Sequence, residues 1–381
     1  MKGSVIVIKK IISLVLVALL VMSLVGCGGN TVKLTKASNG VEIPPYKNLT
    51  VTQTEYVVSE EFLDYQLREI TKQYSSLEKV TNGVVKEKDM ISITYSNYVG
   101  EQILTEGSPE DIIFTLGEGK FVDAFEKALV GLTVGEEFEF AIEYPVGSTY
   151  SILDGKTVIH RGTVNYIAKI VYPEITDEFI QTHVKNSVSV QEAACKTVAD
   201  YRDYLKDRYS FVYTRAAREA LIHDILDVLM KDAIFPEISK EQLDEYENGQ
   251  FEYYKEYCSN NGFSMETYLK SQNITEEEFR ASLRKDGELI IKQTMLLQAI
   301  KELESIELTE NKYQEYLKYL TKYYQFDNID TLKTYIDEIG AEELVRSDAE
   351  YEAIYDFLIE NQKITIEKVD MLEKAKAGEL E

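Results

Sequence analysis

The chain has few of the residues that build metal sites, disulfide frameworks or phosphate-binding surfaces. Its 381 residues include 3 Cys, 3 His and 6 Pro, and 41 Lys and Arg stand against 66 Asp and Glu, a formal charge of -25. Three Cys cannot form a disulfide framework, and three scattered His argue against a His-rich metal site. The excess of acidic over basic residues argues against a partner that is bound through its phosphate groups. We therefore expect no metal, no cofactor and no nucleic acid partner.

Motifs for covalent or phosphate chemistry are also missing. The glycine-containing stretch Leu116–Lys120 has no Ser or Thr after its Lys, so it predicts a turn instead of a phosphate loop. No Gly-x-Ser-x-Gly supports a serine nucleophile. Cys195 and Cys258 lack a Cys-x-x-Cys spacing, which leaves two buried thiols, the interpretation we favour, or one bridge. With 44% hydrophobic and 28% charged residues, the chain is typical of two or three globular domains.

The N-terminus predicts the compartment. Lys2, Lys9 and Lys10 precede an apolar run over 11–25, which is short for a membrane span and typical of a secretory signal. The Leu-Val-Gly-Cys sequence ending at Cys27 resembles the lipobox of bacterial lipoproteins. This resemblance implies that the chain is cut before Cys27 and that its thiol carries the lipid anchor. The alternative is an ordinary signal peptide or a short anchor with a chance Cys. We expect an extracytoplasmic protein, lipid-anchored to the outer face of the cytoplasmic membrane.

The spacing of apolar residues changes along the chain, from helical to alternating. Apolar residues at helical spacing after Ser59 predict a helix over 59–78. Alternating polar and apolar residues then predict antiparallel strands, with a short helix between the first two. The predicted strands are 91–95, 137–144 and 163–172, and the short helix is 121–129. We expect the sheet to close around that helix.

Long helical periods fill the remainder of the chain. Neither Gly nor Pro interrupts 199–233, so one long helix is expected there. Ser239-x-x-Gln242 and Thr275-x-x-Glu278 are capping-box signals for two more helices. Many Tyr accompany these helices, and those outside the core could line a wet apolar surface.

The segment between Gly117 and Glu136 carries a family resemblance. Its pattern, Gly-x-Gly-Lys-Phe-Val-x-x-Phe-Glu-x-x-Leu-x-Gly-Leu-x-x-Gly-Glu, is similar to the central signature of FKBP-type peptidyl-prolyl isomerases, and most of all to the isomerase domain of the trigger factor family. Tyr46–Leu49 with the Ser59 helix resembles that family's linker arm, and Ile175–Phe179 resembles the opening of its helical chaperone domain. The resemblance covers roughly residues 46 to 366, and the family's ribosome-docking domain has no counterpart in it.

The resemblance implies an α+β fold. An FKBP-like antiparallel sheet would surround a short helix and be followed by an extended all-α, trigger-factor-like chaperone domain. The predicted segments are a lipoprotein signal peptide (1–26), a tether (27–48), a linker helical arm (49–82), the isomerase domain (83–173), the helical chaperone domain (174–366) and a charged tail (367–381).

The resemblance also implies a site made of apolar and aromatic side chains. Tyr95 would form an aromatic wall, Phe121 and Val122 the base, and Phe125 the floor. Four further positions would contact substrate: Leu104, Tyr150, Val164 and Tyr166, the last two on one side of a strand. The four pocket residues, Tyr95, Phe121, Val122 and Phe125, could instead simply fill the core.

Several positions depart from the family pattern. Ile103-Leu104-Thr105-Glu106 stands where the family has Phe followed by an acidic residue. Ser148 stands where it has a Tyr, which Tyr150 would replace. The segment Ile159–Gly162 is expected to be a small insertion beside the pocket.

Two functions fit these features. The first is a membrane-tethered extracytoplasmic peptidyl-prolyl cis-trans isomerase and chaperone, whose partners are unfolded or nascent secreted polypeptides with X-Pro bonds and not the ribosome. The alternative is a non-catalytic holdase lipoprotein with a degenerate FKBP pocket. A solute-binding lipoprotein would need alternating β and α units in two lobes, and the long helical tail argues against it.

Overall fold

The computed structural model describes residues 33–104, 111–147 and 153–380. They divide into two compact units. Residues 59–206 form one, called the sheet unit here, and residues 33–58 together with 207–380 form the other, the helical unit. Within the described ranges, no helix is both long enough and apolar enough to span a bilayer.

Of the ten strands in the described residues, nine lie in the first half of the chain, with two helices among them, and the tenth lies near the C-terminus. They are β1 (Thr35–Lys36), β2 (Glu42–Ile43), β3 (Thr50–Val57), β4 (Ser76–Val80), β5 (Met90–Val99), β6 (Gln102–Leu104), β7 (Ile112–Thr115), β8 (Glu137–Glu143), β9 (Thr157–Val171) and β10 (Lys363–Asp370).

Helices dominate the second half. They are α1 (Glu60–Lys72), α2 (Asp123–Leu129), α3 (Asp177–Val184), α4 (Val190–Ala193), α5 (Val198–Asp232), α6 (Lys240–Asn260), α7 (Met265–Ser271), α8 (Glu276–Glu304), α9 (Glu310–Tyr323), α10 (Ile329–Glu338), α11 (Glu342–Glu360) and α12 (Met371–Ala377).

The sheet unit contains an antiparallel sheet with the strand order β4-β9-β5-β6, in which β7 also pairs with β5 and β8 with β9. The long strand β9 is central because it pairs with three strands along its length. Ile91 and Ile93 from β5 pack in one buried core with Phe125 and Leu129 from the short helix α2. The predicted antiparallel sheet around a short helix is confirmed.

The helix predicted over 59–78 begins where expected and ends early. The Ser59 side chain accepts a hydrogen bond from the Phe62 N–H at 3.2 Å, and Glu60 and Glu61 complement the helix dipole in the first turn. The helix stops at Lys72, and 76–80 pairs with β9 instead. Pairing with a neighbouring strand overrides the local helical period, which therefore predicted this end wrongly.

The helical unit confirms the predicted capping boxes. The Ser239 hydroxyl and the Gln242 side chain bond reciprocally at the start of α6, and Thr275 and Glu278 do so at the start of α8. Aliphatic side chains from α5, α8 and α11 share one core, which includes Leu221, Ile225, Leu296, Ile300, Ile354 and Leu358. Cys195 and Cys258 are both buried and free, which confirms the favoured interpretation of two buried thiols.

Two segments that were predicted to extend from the fold are packed into it. Within the predicted tether, Val41 and Ile43 are 0% exposed in the core of the helical unit. At the other end, β10 pairs in parallel with β3 from Lys363 to Asp370, and Met371 of the predicted charged tail is fully buried. Both predictions followed polar composition, but a few apolar side chains with a partner surface are enough to dock a segment.

Candidate functional site

A cluster of aromatic rings surrounds the N-terminal end of α2. The Phe125 ring centroid lies 5.4 Å from that of Tyr95 on β5 and 4.7 Å from that of Phe121, which precedes α2. Phe121 also contacts Tyr95 edge-on at 5.7 Å and Phe114 of β7 at 4.8 Å. These separations are typical of tilted and edge-to-face aromatic packing.

Strands β8 and β9 close the other side of the cluster. The Phe140 ring lies 5.5 Å from Phe125, and the His160 ring lies 4.9 Å from Phe125, measured between centroids. His160 also lies 5.8 Å from Phe140 and 6.3 Å from Tyr95. The imidazole is therefore in the middle of the cluster and only 2% exposed.

A buried carboxylate fixes the chain that leads to Phe121. Glu126 is 4% exposed, and its two oxygens accept hydrogen bonds from the Gly117 N–H at 2.6 Å and the Phe121 N–H at 2.8 Å. Charge-assisted bonds of this kind are stronger than neutral ones. Glu126 thus positions the turn and the aromatic side chain that follows it.

A polar chain runs through the cluster at His160. Its Nδ1 lies 2.7 Å from Asn97 Oδ1, and its Nε2 lies 3.3 Å from the Tyr144 hydroxyl. Burial lowers the pKa of His160 to about 4, so the ring is neutral near pH 7. Because a carbonyl oxygen only accepts, Nδ1 carries the proton and donates to Asn97, and Nε2 accepts from Tyr144.

The cluster offers a client a half-buried face. Phe125 and Tyr95 are buried, whereas Phe121, Val122 and Phe140 are half-buried at the edge of the same core. An apolar surface of this kind is chemically suited to a twisted prolyl imide, since the twisted amide has lost part of its resonance polarity. No proton transfer or covalent step is needed for that rotation.

Of the residues predicted to form the site, the structure brings together Tyr95, Phe121 and Phe125. Val122 packs against the same core and starts α2 as its N-cap. Leu104 pairs with Asn97 across β5 and β6, and its role stays a prediction. Tyr150 and Cys27 lie outside the described residues.

The prediction that Val164 and Tyr166 lie on one side of the strand is wrong, and their substrate contacts stay predictions. Val164 is 0% exposed in the sheet core, to which Tyr166 does not belong. A bulge between Ser92 and Ile93 shifts the register, so Val164 and Ile167 both face the core. The Tyr166 hydroxyl instead donates to Asp111 at 3.3 Å, and the Lys79 ammonium lies over its ring at 4.4 Å.

The segment 159–162, predicted as a small insertion beside the pocket, forms no separate loop. It is a regular part of β9, where His160 pairs with Asn97 on one side and Phe140 on the other. Sequence reasoning therefore missed His160, Asn97 and Tyr144. The alternation of Phe138 and Phe140 was a usable signal for the β8 wall, whose rings stack at 5.1 Å.

The helical unit has an open cleft of about 480 Å³ between α5, α9 and α11. Its aromatic wall is formed by Phe211, Tyr316 and Tyr319, with the Tyr316 and Tyr319 rings stacked at 6.0 Å. Arg215 lies 4.7 Å above Tyr319 and pairs with Glu352 at 2.8 Å. Some of the Tyr thus line an accessible surface in which apolar rings alternate with ion pairs.

Comparison with known protein families agrees with this architecture. Residues 82–159 match the FKBP-type peptidyl-prolyl cis-trans isomerases, and residues 197–360 match the bacterial trigger factor C-terminus. The chain thus combines an FKBP-type domain with a helical domain of the trigger factor kind.

Whole-chain relatives point the same way. Trigger factor from Caldicellulosiruptor bescii is 27% identical over 330 residues, which cover 86% of this chain and 72% of that protein. Trigger factor from Halothermothrix orenii is 28% identical over 327 residues, covering 85% and 73%. A solved trigger factor chaperone, described for promiscuous substrate recognition in folding and assembly, is 18% identical over 86% of this chain and 73% of that one, with a TM-score of 0.31. By its two domain matches and these two sequence relatives, the chain is similar to trigger factors.

Proposed function

We propose that the protein is a membrane-tethered extracytoplasmic foldase. Its FKBP-type domain would isomerise X-Pro bonds of secreted polypeptides, and its helical unit would hold those chains while unfolded. The observation that carries the proposal is the packing of Tyr95, Phe121 and Phe125 around α2, with half-buried Phe121, Val122 and Phe140 at its edge. Uncatalysed X-Pro isomerisation takes tens of seconds or more, long enough to limit folding outside the cell.

The alternative, a holdase with a degenerate pocket, also has an observation in its favour. The His160 ring occupies the centre of the aromatic cluster, and its nitrogens are engaged by Asn97 and Tyr144. The buried rings therefore bind each other, which leaves the edge of the cluster for a client. The cleft beside Phe211 and Tyr319 would still hold unfolded chain.

Proline-limited refolding of a model substrate separates the two. We expect the full mature chain to accelerate the slow phase and Phe121→Ala to lower kcat/KM by roughly tenfold, about 1.4 kcal/mol of transition-state stabilisation. Phe121 is half-buried, so its loss should leave the sheet intact. Phe263→Ala in the helical unit is the matched control. If the wild-type chain leaves the slow phase unchanged, the isomerase proposal fails and the holdase remains.

The membrane anchor has its own test. We expect the wild-type protein to fractionate with membranes and Cys27→Ala to lose the lipid and, if the signal is still cut, to appear in the soluble extracytoplasmic fraction. Mass spectrometry of the mature N-terminus identifies the modification. An unmodified Cys27 on a membrane-bound chain would contradict the lipoprotein interpretation.

A further inference from the structure

The segment that follows Cys27 folds onto the helical unit after only a few residues. Strands β1 and β2 form an antiparallel hairpin in which Thr35 pairs with Ile43 and Lys36 with Glu42. Gly40 turns the chain at φ +87°, a conformation that favours glycine. Val41 and Ile43 place their side chains in the core that α5 and α8 share.

Hydrogen bonds fix the hairpin to that core. Glu42 and Ile234 exchange backbone bonds of 2.9 and 3.0 Å, and the Asn39 amide donates to the Met295 carbonyl at 2.9 Å. Further along, the Tyr46 hydroxyl and the Lys47 ammonium both contact Glu304, at 2.6 and 2.7 Å. The chain is therefore bound to the helical unit from the hairpin onward.

We propose that this hairpin attaches the helical unit to the lipid anchor and keeps the unit close to the bilayer. The hairpin side of the unit then faces the membrane surface. The inference rests on the proposed lipidation of Cys27. The eight residue steps from Cys27 to Thr35 reach at most about 29 Å at ~3.6 Å per residue, whereas a free tether ending at residue 48 would reach about 75 Å.

Because the hairpin is docked, the link between Cys27 and the helical unit is short. Lengthening it would expose two fully buried aliphatic side chains and break the hydrogen bonds to Ile234 and Met295. Cleavage before Cys27 removes three Lys and no acidic residue, so the mature chain has 38 Lys and Arg against 66 Asp and Glu, a formal charge of -28. Anionic headgroups repel such a chain, so the short link and not a basic patch sets this distance. Clients would thus be held next to the membrane from which they emerge.

The test measures energy transfer on vesicles. The mature chain, with Cys195→Ala and Cys258→Ala, is coupled through Cys27 to a maleimide-headgroup lipid in phosphatidylcholine vesicles. A donor dye is attached to an azido side chain introduced at the exposed Lys231, one helical turn before the Ile234 contact, and acceptor dyes are carried by lipid headgroups. We expect strong transfer, and a fall of about threefold or more when roughly 20 Gly and Ser residues are inserted after Asn30, because that linker adds ~25 Å of average reach.

Undocking the hairpin should have the same effect. Val41→Asp with Ile43→Asp should lower transfer toward the spacer level, whereas the charge-matched control Thr35→Asp with Thr50→Asp, both at exposed positions, should not. Transfer that is unchanged by the spacer overturns the proposal, whether or not the aspartate variants fold. Because the lipid is attached chemically, this result does not depend on whether cells lipidate Cys27 or on isomerase activity.

Discussion

Gly162→Ala is expected to destabilise the sheet unit by about 3 kcal/mol or more. A Cβ at this position would lie 2.2 Å from the Thr94 carbonyl oxygen, 2.7 Å from Phe138 Cζ and 2.7 Å from Tyr95 Cβ. The Phe138 ring could turn aside, but the Thr94 carbonyl is part of the β5 backbone that pairs with β9. The strands would have to separate at the point where Tyr95 enters the aromatic cluster.

Equilibrium urea unfolding of the full chain, with native-state hydrogen exchange at the β9 amides, measures this loss. The acceleration of a substrate's proline-limited refolding should decrease together with this stability, because Tyr95 moves with β5. Gly249→Ala is the control: no atom lies within 4 Å of its added Cβ, so in the middle of α6 it should stabilise by about 0.5–1 kcal/mol. A loss below about 1 kcal/mol at Gly162 would contradict the close strand contact.

The part of the site that the sequence predicted is the part encoded locally. Phe121, Phe125 and Leu129 recur at helical spacing within one short segment, so their common face needs no knowledge of distant contacts. The alternation on β5 placed Tyr95 on the same strand face as Ile91 and Ile93, and the family resemblance assigned it to the aromatic wall. The structure joins these residues because α2 and the sheet share one core.

The part that could not be predicted depends on pairing between distant strands. The register between β5 and β9 shifts at a bulge between Ser92 and Ile93, and this shift moves Tyr166 off the core side. The alternation of residues within one strand does not show where its pairing with another strand shifts. His160 is a site residue because β5 and β8 bring Asn97 and Phe140 to either side of it. Likewise, Val41 and Ile43 were only two apolar residues in a polar stretch until α5 and α8 supplied their partner surface.

Acidification is expected to destabilise the sheet unit through His160. In the folded chain its pKa is about 4, against an ordinary value of 6.5, because burial among aromatic rings disfavours the imidazolium. Between these two values the unfolded chain binds the extra proton and the folded chain does not. The stability that His160 contributes is therefore full above pH 6.5 and falls as the pH is lowered. Below about pH 4 this contribution is completely lost. The difference corresponds to roughly 3 kcal/mol.

The neighbours of His160 support assigning the loss of stability at low pH to its protonation. Asn97 Oδ1 already accepts from Nδ1, so a proton added to Nε2 would lie beside the Tyr144 hydroxyl and among the rings of Phe125, Phe140 and Tyr95. A phenol does not titrate between pH 4 and 7. The imidazolium would thus have no carboxylate partner among these neighbours, although the ring faces offset part of its cost.

His160→Gln separates the titration from mere packing. Gln stays neutral, so its cost in packing is the same at each pH, and the stability gap between wild type and variant should shrink by about 3 kcal/mol from pH 7 to pH 4. Taking the difference between the two proteins cancels the contributions of other titrating groups, including His183, whose pKa burial also lowers. Exchange at the β9 amides, corrected for its intrinsic pH dependence, gives the gap, and nitrogen NMR of the imidazole should show a proton on Nδ1 at pH 7. A gap that stays constant with pH would mean that the pKa of His160 is the same in the folded and unfolded chains, as expected for a ring that is not buried among the others.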